Sequence, residues 1–108
     1  MNLDINQVFA DVVSAIKGEV KDDWSIVKDA TNGFLISKQG RIELLISLRM
    51  ADEISDEFFK KRLADEKDIL QSELSAVALI SKVTAQNAAN AALNVLQKAV
   101  ETAIGTVL

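Results

Sequence analysis

Cysteine, histidine, tyrosine and proline are all missing from this sequence of 108 residues. Without cysteine, the chain cannot form a disulfide, a thiolate zinc site or a cysteine nucleophile. Without histidine, it lacks the commonest general base and the commonest transition-metal ligand. An enzyme built from this chain would depend on carboxylates, lysines and hydroxyl groups alone. We therefore expect no catalytic site, no metal site and no cofactor.

Helix-breaking residues are also scarce. Glycine occurs only at positions 18, 33, 40 and 105, so neither glycine nor proline lies between Arg41 and Ile104. That stretch is rich in alanine, leucine, glutamate and lysine, the residues that favour long helices. The length suits one domain, and no linker divides it. The sequence therefore predicts an all-α fold with a single helical domain over residues 1–108.

Positive charge is in deficit, and the net charge is -4. The longest basic run, Lys60-Lys61-Arg62, is flanked by acidic residues on both sides. Nucleic-acid binders usually present a basic face, so we expect no nucleic-acid partner. The longest apolar run, residues 76–80, is far shorter than the roughly 18 residues needed to span a bilayer. With no export signal either, we expect no transmembrane segment and a cytoplasmic protein.

The N-terminal third carries one apolar series at helical spacing. Its members recur every three or four residues and are Ile5, Phe9, Val12, Ile16, Val20, Trp24 and Val27. This spacing predicts an amphipathic helix whose apolar face includes Trp24, either in the core or at a partner contact. Asn32-Gly33 tolerates the left-handed backbone of a helix C-cap, so we predict that the helix ends there.

Residues 34–44 leave two alternatives open. They could form a short β-hairpin around Lys38-Gln39-Gly40 or an apolar turn between helices. We favour the helical connection, because an isolated two-stranded hairpin is marginally stable. A second amphipathic helix follows, and we expect the chain to reverse near residues 64–68. The alternative is one uninterrupted helix from Arg41 to about Ile104.

The segment from Leu74 to Leu108 is unusually poor in charge, with only Lys82, Lys98 and Glu101. Apolar residues occupy several of its faces, and the remaining face carries amides at Asn87, Asn90, Asn94 and Gln97. Such a helix is typical of a bundle centre or of a contact between copies. The predicted fold is a three-helix up-down-up bundle, or a long helical hairpin, with the C-terminal helix central.

The acidic cluster of residues 52–57 has a simpler interpretation than a cation site. Its carboxylates fan around two helical turns without a glycine-containing loop, whereas hard cations need oxygens that converge on one point. We interpret it as a solvated helix face.

The preferred functional prediction is a non-catalytic structural or assembly protein that forms homo-oligomers through its uncharged C-terminal helix. The predicted interface consists of Ala85, Ala88, Ala92, Leu93, Leu96, Val100, Ala103 and Val107. The alternative is an acidic inhibitor or immunity-type binding module. Such a module would use the carboxylates of residues 52–68 to cover a basic protein partner.

Overall fold

In the computed structural model, residues 3–77 and 79–105 are described, and they form an all-α bundle. Its four α-helices are α1 (Ile5–Val20), α2 (Trp24–Met50), α3 (Asp56–Val77) and α4 (Lys82–Gly105), with a single 3-10 turn (Lys21–Asp23) between α1 and α2. The all-α fold class predicted from the sequence is confirmed, although the helix boundaries differ. The bundle measures 42 × 21 × 21 Å. The 27 residues of α2 span about 40 Å, nearly its full length.

Neighbouring helices run antiparallel, and α4 lies at the centre of the packing. The start of α1 lies beside the end of α4, because Val8 and Ala103 line the same groove. The start of α3 also lies beside the end of α4, where Lys60 is 3.8 Å from Glu101. Helix α4 packs mainly on α1 and α3 and also touches α2. The C-terminal helix is therefore central, as the sequence predicts.

Core side chains come from all four helices. Most are large aliphatic residues or Phe, but α4 contributes five buried alanines. Alanine has a small side chain, so it lets the neighbouring helices approach α4 closely. Trp24 is partly buried against this core, but it is the first residue of α2 and not part of the first helix, where the sequence analysis placed it.

Helix α2 continues through the region where the sequence predicts a helix end. Neither the β-hairpin nor the helical connection over residues 34–44 forms, and Gly33 and Gly40 are both helical. Val27, Phe34 and Ile42 are all buried on one face. Burying a large apolar side chain stabilises by about 1.5–3 kcal/mol, whereas a glycine in a helix costs only about 1 kcal/mol. Packing therefore outweighs the two glycines.

The chain reverses at residues 51–55 and 79–81, not near residues 64–68, which lie inside α3. Asp52 and Leu79 take the left-handed conformation usually left to glycine, with φ of 60° and 58°. Ser55 Oγ accepts a hydrogen bond from the Phe58 amide at 3.0 Å. Ser81 Oγ accepts one from the Thr84 amide at 3.1 Å. These serines cap α3 and α4, and the two turns also exclude the single helix from Arg41 to Ile104.

Candidate interaction surfaces

The residues predicted as an interface between copies mostly face the chain's own core. Those buried in the bundle are Ala85, Ala88, Ala92, Leu96, Val100 and Ala103. Leu93 is partly buried against the same core, and Val107 lies outside the described residues. Because α1 and α3 cover this side of α4, its apolar residues are not available to a second copy while the bundle is intact. Association between copies stays a prediction.

The opposite side of α4 faces solvent and carries amides. Asn87 and Asn94 are exposed and Asn90 is half-buried. Every residue between Lys82 and Lys98 is neutral, so this face is uncharged over about four helical turns. It also carries Val83, which is 65% exposed. Amides are both donors and acceptors, which makes water a satisfactory partner for them.

Helix α2 presents an apolar surface that the sequence analysis did not identify. Ile36 is 78% exposed, Leu44 59% and Ile26 52%. At 100° per residue, these three side chains fall with Gly33 and Gly40 within about 80° of the helix circumference. This surface, the α2 outer face, points away from the buried residues of the same helix. The three side chains stand about 15 Å and 12 Å apart along the helix axis, so they form a row of separate apolar residues.

The two glycines of the α2 outer face are not required by the fold of the chain. A Cβ added at Gly33 or Gly40 would meet nothing within 4 Å. Neither residue has a positive φ. Each costs about 1 kcal/mol relative to alanine in an exposed helix interior. Inside the chain we find no packing reason for them, and their effect is to leave the helix backbone open to close approach.

A signal for this face was present in the sequence. Ile26, Gly33, Gly40 and Leu44 are separated by seven, seven and four residues, a spacing that keeps them on one side of a helix. This face was missed in the sequence analysis because Asn32-Gly33 predicts a helix end. Such an end would place Ile26 in one element and Gly40 and Leu44 in another, so they would share no helix face.

The carboxylates of residues 52–68 are largely engaged with basic neighbours. Carboxylates in ion pairs are Asp52 and Asp56 with Arg49, Asp56 also with Lys60, Asp65 with Arg62 and Asp68 with Lys67. Exposed pairs of this kind stabilise by at most about 1 kcal/mol, but they cancel charge locally. The acidic surface offered to a basic partner is therefore smaller than the sequence count of carboxylates indicates.

Lys60 shows the strongest electrostatic perturbation on this surface. Its Nζ lies 3.0 Å from Asp56 Oδ2. The hydrogen bond to Asp56 raises the pKa of the Lys60 amine above its ordinary 10.5, with smaller contributions from the charges of Asp56 and Glu101. The amine therefore stays protonated throughout the neutral range, which excludes it as a general base there.

One carboxylate, Glu66, lies inside the bundle. Its Oε1 accepts a hydrogen bond from Arg41 Nη1 at 2.9 Å, while Oε2 has no protein partner among the described residues. Glu66 also lines a 20 Å³ cavity with apolar residues of all four helices. The pair links α2 to α3 across the bundle, which is a structural role.

A larger groove of about 540 Å³ lies between the start of α1 and the end of α4. Two of the carboxylates on its wall already have partners. Asp4 accepts a hydrogen bond from the Gln7 backbone amide and caps α1. Asp11 accepts a hydrogen bond from the Gln7 side-chain amide at 2.9 Å. Lys98 and Thr102 complete the polar part of its lining.

Within residues 3–77 and 79–105, no group of three or more acidic side chains could hold a metal ion. In the same part of the chain, no helix is both long and apolar enough to cross a membrane. Comparison of the chain with protein-family models, with curated proteins and with solved structures returns no match.

Proposed function

We propose that this chain is a non-catalytic structural protein whose copies associate through the α2 outer face. The observation that carries the proposal is the exposure of Ile26, Ile36 and Leu44 on one side of a helix whose other side is in the core. A helix that is apolar on two sides has an outward surface that water solvates poorly. A second copy supplies the apolar cover for that surface.

The expected association is weak. Fully burying a large aliphatic side chain stabilises by about 1.5–3 kcal/mol. Three partly exposed side chains from each copy would together contribute roughly 7 kcal/mol, close to the roughly 4–15 kcal/mol that association costs. At the low end of that cost, about 3 kcal/mol remains, so we expect a reversible complex with a dissociation constant of several millimolar.

Self-association was expected through the uncharged C-terminal helix. We propose instead that the contact between copies lies on α2. The alanine and leucine side of α4 packs against α1 and α3, and its outward side carries amides. The α2 outer face has large apolar side chains where α4 has Asn87 and Asn94. Desolvating amides gives little net free energy unless each finds a partner.

The alternative function, an acidic binding module for a basic protein, has less support. Of its proposed carboxylates, Asp52, Asp56, Asp65 and Asp68 are in ion pairs within the chain, and Glu66 is buried. A basic partner would have to displace these pairs before it could use the carboxylates. Strong salt dependence of binding to such a partner would favour this alternative.

Light scattering behind a sizing column tests the proposal, with loading from about 20 µM to about 2 mM. The apparent mass of the native chain should rise from 11.7 kDa with concentration, and salt should change it little because the contact is apolar. Ile36→Glu should remain at the mass of one chain with unchanged helicity. Asn94→Glu adds the same charge to the α4 solvent face and should associate like the native chain. A single-chain mass at every concentration would contradict the proposal.

A further inference from the structure

We infer that the two copies pair antiparallel across a two-fold axis near residue 38 of α2. In this arrangement each glycine of the α2 outer face lies beside a large side chain of the other copy. The inference deepens the proposed self-association and rests on it. It concerns only the partner's direction and register.

The order of residue sizes along the α2 outer face carries the inference. From residue 33 to residue 44 the face presents small, large, small and large positions: Gly33, Ile36, Gly40 and Leu44. Reversed, the same order is large, small, large and small. An antiparallel second copy therefore places a large side chain opposite every small one. A parallel copy places large opposite large and glycine opposite glycine.

The axial distances agree with this register. In an antiparallel pair, two residues that lie level have numbers that add up to twice the residue number at the two-fold axis. Ile36 beside Gly40 of the second copy gives a sum of 76, and Leu44 beside Gly33 gives a sum of 77. The two requirements differ by one residue, about 1.5 Å along the helix axis. A single two-fold axis near residue 38 satisfies both. A parallel pair keeps the backbones apart, because Ile36 meets Ile36 and Leu44 meets Leu44.

The glycines fit a close helix–helix approach. Gly33 and Gly40 have open space where a Cβ would be. Glycine is the residue that permits another chain to approach the backbone closely. In the antiparallel register, the space at each glycine accepts the side chain of Ile36 or Leu44 from the second copy. Both large side chains are exposed in the single chain, so they are free to fill it.

Charge is compatible with the antiparallel direction. Between Ile26 and Ser47, the α2 outer face has Asp29 as its one central charge, and the two-fold axis places it level with Ser47 of the second copy. A parallel pair would instead bring Asp29 beside Asp29.

The area of the face agrees with a weak complex. Residues 26–47 cover about 33 Å of helix, and a helix is about 10 Å wide, so the footprint is roughly 330 Å² per copy. Stable complexes bury about 800 Å² on each partner. A second copy is the occupant that fits, because a self-complementary face needs no other chain to provide matching large and small positions.

Cysteine cross-linking tests the register, since the native chain has no cysteine and each introduced thiol reports one contact. Asp29→Cys mixed with Ser47→Cys should form a disulfide-linked heterodimer, because these positions sum to 76. Ser37→Cys should link to itself, since its two copies lie about 4 Å apart along the axis. Ser47→Cys alone should not link to itself, because its two copies lie about 26 Å apart along the axis, beyond disulfide reach. Asn94→Cys on α4 is the matched exposed control and should give only the background of random collisions.

The outcomes separate the inference from the proposed function. Concentration-dependent mass with efficient self-linking of Ser47→Cys would indicate a parallel pair and overturn the inference while leaving self-association intact. Concentration-dependent mass with cross-linking at the Asn94→Cys background for every α2 thiol would also overturn it, because the contact would lie elsewhere. A single-chain mass at all concentrations would overturn the proposed function itself. Preferred linking of the mixed pair and of Ser37→Cys supports the inference.

Discussion

The carboxylate of Glu66 lies in the bundle core, and among the residues that the structure describes only one of its oxygens has a hydrogen-bond partner. The partner, Arg41, has a side chain that is half exposed and retains much of its hydration. The two members of the pair therefore differ in what their removal leaves behind. Loss of Arg41 leaves a buried carboxylate without compensation, whereas loss of Glu66 leaves a guanidinium that water can solvate.

This asymmetry predicts that substitutions of the two residues change the free energy of unfolding differently. Arg41→Ala should lower the free energy of unfolding by about 2–3 kcal/mol, less than for a fully buried pair because water reaches the site. Glu66→Met has similar volume and no charge, so it should be neutral or slightly stabilising. Urea unfolding followed by circular dichroism measures both. A larger loss for Glu66→Met than for Arg41→Ala would show that the pair itself contributes net stability.

At the scale of the helix, the glycines of α2 predict a separation between folding and association. Gly33→Ala and Gly40→Ala should each raise the free energy of unfolding by about 1 kcal/mol, because the added methyl groups meet nothing in the chain. Each should weaken association about tenfold, a loss of about 1.4 kcal/mol. Unfolding in urea at micromolar concentration and sedimentation equilibrium at high concentration measure the two effects separately.

Gly18→Ala in α1 is the matched control for those variants. Gly18 is also helical and exposed, and its Cβ would likewise meet nothing within 4 Å. It should stabilise the chain by a similar amount and leave association unchanged. If Gly33→Ala and Gly40→Ala also leave association unchanged, the glycines have no role in the contact.

Periodicity predicted the helices, but not where they begin and end. The series from Ile5 to Val20 correctly gave the buried face of α1. Local signals then misled: Asn32-Gly33 is a typical helix end, yet Phe34 and Ile42 hold α2 together through core packing that only the folded chain supplies. The turns escaped prediction because Asp52 and Leu79 adopt positive φ without being glycine. Serine is a residue that favours a helix N-cap, and Ser55 does cap α3.

The predicted interface shows a related limit of sequence analysis. Lack of charge around Ala88, Leu96 and Val100 correctly indicated a surface hidden from water. Such a pattern is the same whether the cover comes from the same chain or from a second one, and in the structure α1 and α3 provide it. The α2 outer face could be recognised only after α2 proved continuous.

At the scale of the whole molecule, exposed large apolar side chains lie on several elements: Ile26, Ile36 and Leu44 on α2, and Phe58, Val77, Leu79 and Val83 from α3 to the start of α4. Helix α3 carries most of the ion pairs, and the solvent face of α4 carries amides. The α2 outer face combines low charge with large exposed aliphatic side chains. With a net charge of -4, two copies repel weakly at long range, so contact is favoured at a face of low charge.

This distribution predicts that a new negative charge has different consequences on α4 and on α2. Leu96→Asp places a carboxylate where the native side chain is 7% exposed and should lower the free energy of unfolding by about 3 kcal/mol. Leu44→Asp adds the same charge on the α2 outer face and should preserve helicity and unfolding free energy within about 0.5 kcal/mol. Circular dichroism melts and light scattering should therefore find Leu96→Asp destabilised, and Leu44→Asp folded but monomeric. A folded, monomeric Leu96→Asp beside a dimeric Leu44→Asp would return the contact to the C-terminal helix.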